Sequence, residues 1–295
     1  MEEYGVNCNQ CPRKCGAKRK DGMLGFCNTC DDFSVSRASL HQWEEPPISG
    51  KNGSGTIFFA GCNLRCVFCQ NREISRGGHG TQMSDSELAK TMLSLQEMGA
   101  HNINLVTPSH YVRRLAKVLE AVKPSLHIPV VWNSSAYESA TELRALDGLV
   151  DIYLPDVKYY SPELSASYSS APDYFSVAIE ALGEMLRQVP TIRYNEDGTL
   201  LLGGVVVRHL VLPACRKDSA AILQALCDRF GSQSFLLSLM CQYTPDFAMD
   251  APYKNLHRRL TSFEYESVLA IADELGFNGF SQDPSSASAH FTPAF

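Results

Sequence analysis

Six short apolar runs, each followed by a helical pattern, constrain this chain more than any other feature. The runs at 56–60, 102–106, 128–132, 150–154, 204–212 and 234–240 are nearly continuously apolar, as expected of strands covered on both faces. Apolar residues recur at helical spacing over 84–98, 111–122, 139–146, 172–188, 219–229 and 262–275, the first opened by Ser84 as an N-cap. Such alternation implies parallel β/α units with right-handed crossovers. A doubly wound sheet and a (β/α) barrel both satisfy it. The unusual polar residues fall just after successive strands, where a barrel builds its site from βα loops. The expected fold is therefore α/β, a partial (β/α)6 TIM-like barrel over 56–283. A small cysteine-rich metal-binding extension over 1–55 precedes it, and a Ser/Ala-rich tail over 284–295 follows.

Cysteine usage is the anomaly of the composition. The chain has 11 cysteines, an odd number, and eight fall within the first 69 residues. Tight C-x-x-C spacings and a first stretch, Met1-Glu2-Glu3-Tyr4-Gly5, without the basic and apolar regions of a secretory signal disfavour a disulfide framework. Clustered thiols in a reducing compartment point to metal. A net charge of −6 argues against nucleic acid or an anionic membrane surface as partner, and no apolar run reaches the ~20 residues of a membrane span. The expected location is cytoplasmic.

The first strand runs into Gly61-Cys62-Asn63-Leu64-Arg65-Cys66-Val67-Phe68-Cys69, placing three thiols in one loop at C-x3-C-x2-C spacing. Three are too few to close a structural zinc site, and the next histidine, His79, lies beyond a Gly-Gly pair. Three thiolates do suit an iron–sulfur cubane with one iron left open. No H-E-x-x-H or H-x-x-E-H motif supports a zinc hydrolase.

This loop resembles the signature of the radical S-adenosylmethionine (radical SAM) superfamily, C-x3-C-x-Φ-C, with Phe68 at the aromatic position Φ. The wider chain is similar to the pyruvate formate-lyase activating enzyme-like branch with an N-terminal cysteine-rich extension. Cys8-Asn9-Gln10-Cys11-Pro12-Arg13-Lys14-Cys15 and the segments 53–59, 101–108, 151–159 and 208–213 carry that likeness. The resemblance implies a [4Fe–4S] cluster on Cys62, Cys66 and Cys69, S-adenosyl-L-methionine on the open iron, and Phe68 against the adenine. It implies reductive SAM cleavage to a 5′-deoxyadenosyl radical that takes hydrogen from a protein or small-molecule substrate, a glycyl radical enzyme among the candidates. A reductant such as flavodoxin or ferredoxin is the implied partner. Activators of glycyl radical enzymes often insert extra clusters after the three-cysteine loop, whereas here the extra cysteines stand upstream. The alternative is a SAM- and metal-binding scaffold without radical turnover.

The resemblance also marks residues around the cofactor. In the superfamily the second strand ends in a Gly-Gly-Glu-like turn that holds the SAM amine. Thr107-Pro108-Ser109-His110 stands there, making Thr107 and Ser109 the candidates, with a helix N-cap the competing role for Ser109. Asn133, in the polar stretch that ends the third strand, is placed to meet the ribose or the SAM carboxylate. Asp156 and Lys158 share parity after the fourth strand and resemble a D-x-K element of related activating enzymes; a surface pair is the competing reading. On the fifth strand Arg208 and His209 must point to opposite faces, and by analogy His209 is the expected contact of the SAM carboxylate. Gln242, Tyr243 and Pro245 are candidates for an adenine or substrate wall. Cys215, Cys227 and Cys241 read as structural thiols. Cys8, Cys11, Cys15 and Cys27 match the branch's extension and offer a second metal site, zinc or an auxiliary iron–sulfur cluster, with Cys30 an additional neighbour.

Overall fold

The apolar runs become strands that lie side by side in the order of the sequence. The computed structural model describes residues 7–77 and 80–282; His79 and the expected tail from 284 lie outside the described residues. The strands are β1 (Phe33–His41), β2 (Ser54–Phe59), β3 (Thr81–Met83), β4 (Ile103–Val106), β5 (Val130–Ser134), β6 (Ile152–Pro155), β7 (Arg193–Tyr194), β8 (Leu201–Leu210), β9 (Leu236–Met240) and β10 (Gly279–Ser281). The helices are α1 (Pro46–Ser49), α2 (Arg72–Gly77), α3 (Asp85–Glu97), α4 (Val112–Val122), α5 (Ala140–Leu143), α6 (Pro162–Ser169), α7 (Tyr174–Gln188), α8 (Arg216–Phe230) and α9 (Ser262–Glu274).

Their spatial order is β10-β9-β8-β6-β5-β4-β2-β1-β3, with β7 paired to β8. From β2 through β10 every step along this path is parallel. A doubly wound sheet reverses its order at a switch point; this sheet does not, and its progression is that of a barrel. β1 joins β2 antiparallel and β3 joins β1 antiparallel, so the sheet ends in separate edges. The expected partial barrel is what forms: an open arc.

Side-chain parity divides each strand between two layers. Ile57, Phe59, Ile103, Leu105, Val130, Trp132, Tyr153, Val205 and Val207 pack outward against the helices in the main core. Val131, Ile152, Leu154 and Val206 face the concave side with Ile48 and Leu201. The helices are bound by the matching stripe: Val112, Leu115, Ala116, Val118, Leu119 and Val122 make the buried face of α4. Capping boxes start α3 at Ser84/Glu87 and α9 at Thr261/Glu264, each satisfying otherwise orphan backbone donors. The concave parity, carried past the strand ends, selects the residues of the site.

Candidate active site

At the end of β2 the chain turns at Gly61, whose φ of +80° favours glycine. A Cβ there would run into the carbonyl of Cys27 and the Thr29 methyl. The loop that follows is held at its backbone: the Val67 amide donates to Tyr168 O at 2.8 Å, and Arg76 donates to Cys66 O at 2.6 Å. The Ser169 hydroxyl donates to Cys66 Sγ at 3.0 Å, and the Leu64 amide to Cys62 Sγ at 3.4 Å. Phe68 is buried edge-on against Tyr168 and Tyr243. Cys62, Cys66, Cys69 and Phe68 open on one cavity of about 260 Å³, whose wall also includes Thr107, Asn133, Asp156 and Lys158. The expected thiols, aromatic and strand-end polar groups therefore converge.

A charge network forms part of the cavity wall. Arg208 Nε donates to Asp156 Oδ1 at 2.7 Å, its Nη1 to Glu44 Oε2 at 3.1 Å and its Nη2 to Asn133 Oδ1. Lys158 Nζ donates to Asp156 Oδ2 at 2.7 Å. Glu44 also accepts from Asn104 at 3.0 Å and from Asn133 at 3.3 Å. Burial pushes the Asp156 carboxyl up, but Arg208 and Lys158 outweigh it and hold the group below its usual range. At Glu44 burial wins over Arg208, and the carboxyl is raised. Lys158 is lowered by burial yet ends above its usual value, because Asp156 and the Cys66 sulfur stand beside it. This is the charged, partly desolvated setting in which an anionic or zwitterionic ligand is bound strongly.

Two of the expected residues lie elsewhere. His209 is 1% exposed and faces the helices, with Nδ1 against Val157 O at 2.7 Å and Nε2 against Ser219 Oγ at 2.9 Å. Burial holds it down to about 4, so it is a neutral core imidazole. Its neighbour Arg208 takes the concave position, the reverse of the expectation. Ser109 is buried beside Glu138 and does not line the cavity. Thr107 does line it, in the left-handed region at φ +60°. A β-branched residue is costly there. Gln242 lines the cavity, while Tyr243 backs Phe68. Cys215 and Cys241 are buried among apolar side chains. Glu44, which precedes α1, has no sequence signal beyond its Glu-Glu-Pro-Pro context.

The donor set fits an iron–sulfur cubane. Burial, with the charge of Cys66 adding, pushes the Cys62 thiol up to about 12, and burial raises Cys66 as well. Thiolates at this depth need a cationic partner. Behind the loop, the Cys15 and Cys27 sulfurs flank Gly25. Cys11 is pushed up to about 11, first by burial and further by Cys27, Cys8 and Cys15. Cys30 turns its carbonyl to Arg19. No helix among the described residues is long and apolar enough to cross a membrane.

Comparison with known proteins adds three findings. The sequence profile of the radical SAM superfamily matches residues 56–210. An uncharacterized protein of Methanocaldococcus jannaschii is 30% identical over 281 residues, covering 91% of this chain and 75% of that protein. Two solved structures are similar in part. Methylornithine synthase is 15% identical with a TM-score of 0.49, covering 77% of this chain and 63% of that one. A domain of pyruvate-formate lyase-activating enzyme from Bacteroides vulgatus is 10% identical with a TM-score of 0.41, covering 59% and 92%.

Proposed function

The chain belongs to the radical SAM superfamily, and from that membership we propose that it is a hydrogen-abstracting radical enzyme whose cluster sits on Cys62, Cys66 and Cys69. Such a cluster, when bound with SAM on its open iron, supplies one electron that breaks a C–S bond to give methionine and a 5′-deoxyadenosyl radical. One observation carries this reading: the three thiols and Phe68 of a single loop open on the same cavity as the polar ends of β4, β5, β6 and β8.

The chain's own residues divide the remaining work. Phe68, fixed between Tyr168 and Tyr243, offers a rigid apolar face for the adenine. Lys158 and Arg208 are the cations on the cavity wall, and they take the SAM carboxylate that the sequence reading assigned to His209. Asp156 fixes both cations, and Asn133, bonded to Arg208 and Glu44, meets the ribose or the SAM carboxylate. Thr107 holds the SAM amine through the backbone turn. The substrate is a protein or a small molecule, with a glycyl radical enzyme among the candidates, and a flavodoxin or ferredoxin supplies the electron. Cys8, Cys11, Cys15 and Cys27 hold a second metal, zinc or an iron–sulfur cluster. Anaerobic reconstitution, dithionite reduction and chromatography test the reading: wild type yields 5′-deoxyadenosine and Cys66→Ala does not. A wild type that binds SAM but forms no 5′-deoxyadenosine would establish the scaffold alternative instead.

A further inference from the structure

Arg19 is 3% exposed, and its guanidinium meets carbonyls, a hydroxyl and a sulfur. It donates to Cys30 O at 3.1 Å, to His110 O at 2.5 Å and to Thr29 Oγ1 at 3.2 Å, and stands 4.0 Å from Cys8 Sγ. No carboxylate appears among these partners. A guanidinium out of water is costly without an anion; the Tyr111 ring lies 5.1 Å from it, and the Cys8 sulfur is the neighbour that a bound metal would hold as a thiolate. Four thiolates around a divalent metal, or around a cluster, are negative overall. The buried arginine is thus an observation separate from cysteine spacing that points to a thiolate centre at Cys8, Cys11, Cys15 and Cys27.

The same two ligand loops grip the three-cysteine loop from behind. The Cys62 amide donates to the Cys27 carbonyl at 3.2 Å, and Thr29 contacts the Cys27 sulfur at 3.1 Å. Gly61 leaves the space that this approach needs. From the other ligand loop, Arg13 reaches across to Asn63 O at 2.7 Å and Ser169 O at 3.2 Å while its guanidinium covers the Phe26 ring at 4.1 Å. Arg65, inside the three-cysteine loop, returns a hydrogen bond to Phe26 O. Both ends of the cysteine set are therefore tied to residues 61–65.

We infer that the N-terminal thiolate centre is a clamp on the catalytic loop: its metal fixes the two ligand loops, Arg19 balances its charge, and the Cys27 carbonyl and Arg13 transmit the restraint to Cys62 and Asn63. The inference rests on the proposed role of Cys62, Cys66 and Cys69 and adds what holds them in register. Outer-shell partners of metal sites carry about ten- to hundredfold effects on metal retention, and the clamp acts in that way on the catalytic cluster.

Cys15 gives the sharpest test. It is exposed, and serine keeps a polar atom toward its neighbours Ala17, Phe26 and Cys8, so the variant removes a metal ligand while Phe26 stays in place to accept from Arg65. Metal analysis of the Cys62→Ala/Cys66→Ala/Cys69→Ala triple variant comes first: bound zinc or iron is expected, and a metal-free triple variant overturns the centre itself. In Cys15→Ser that metal is expected to be lost. The SAM-responsive EPR signal of the catalytic cluster should then decay under bathophenanthroline about tenfold faster than in wild type. Unchanged decay with the metal gone overturns the clamp while leaving the radical SAM reading intact. Should Cys15→Ser not fold, Arg13→Met decides: it keeps the metal and cuts the strut, and faster decay supports the clamp while wild-type decay refutes it. A wild type with no SAM-responsive signal contradicts the proposed function, and the triple-variant metal content still reports separately on the centre.

Discussion

Replacing Arg208 by methionine removes the cation that joins Asp156 and Glu44. The side chains of Arg208, Glu44 and Asp156 are 13%, 10% and 21% exposed. Removing one partner of a buried pair costs about 3–5 kcal/mol, and these residual exposures favour the lower end, about 3 kcal/mol. Unfolding entropy near 2.1 cal/mol/K per residue over 295 residues converts that into a fall in Tm of about 5 °C. The loss depends on pH. Arg208 is the cation that opposes burial at Glu44, so without it burial raises that carboxyl further above its unfolded value near 4. A raised carboxyl lets the folded state hold more protons than the unfolded one, so the penalty grows as pH rises above about 4 and shrinks below it. Calorimetry of matched wild type and Arg208→Met, at equal metal content, should therefore show a larger difference at about pH 8 than at about pH 5. An equal difference at both, or a fall under about 1 °C at the higher pH, would refute the network as a buried, cation-dependent structure.

Other outcomes follow from the same geometry. His209→Leu should destabilise the fold yet leave SAM affinity within about twofold, while Arg208→Met weakens it at least about tenfold, roughly one charge-assisted hydrogen bond; titration calorimetry separates the two. His209 is held down to about 4 by burial, and His110 down to about 3. The stability they confer is full above the unfolded histidine value of about 6.5 and is lost as pH falls toward those folded values, so denaturant midpoints should drop across that acid window and drop less in His209→Leu. Thr107→Gly relieves a left-handed β-branched residue and should raise the denaturation midpoint by the equivalent of about 0.5–1 kcal/mol; a lower midpoint would show that the threonine side chain outweighs the strain.

The parallel strands and the three-cysteine loop were legible because apolar continuity and thiol spacing are local signals. β1 was not, and its residues show why. Phe33 and Val35 are buried at odd positions, then a register shift between Val35 and Arg37 moves the apolar side chains to Ala38 and Leu40. The bulge breaks strict alternation, and the strand hides in a polar segment. Parity told that Arg208 and His209 part ways, but not which faces the cavity. That is fixed by Val206 joining Ile152 and Leu154 on the concave side, a tertiary fact. Glu44 escaped for a similar reason: it comes from outside the β/α units and reaches Arg208 across a sequence separation of 164.

The most direct measurement is EPR of anoxically reconstituted, dithionite-reduced protein before and after SAM is added. The account predicts a reduced [4Fe–4S] signal that changes shape on adding SAM and is missing from the Cys62→Ala/Cys66→Ala/Cys69→Ala variant. A SAM-responsive signal that persists in that variant, or no SAM-responsive cluster signal in wild type, would contradict it.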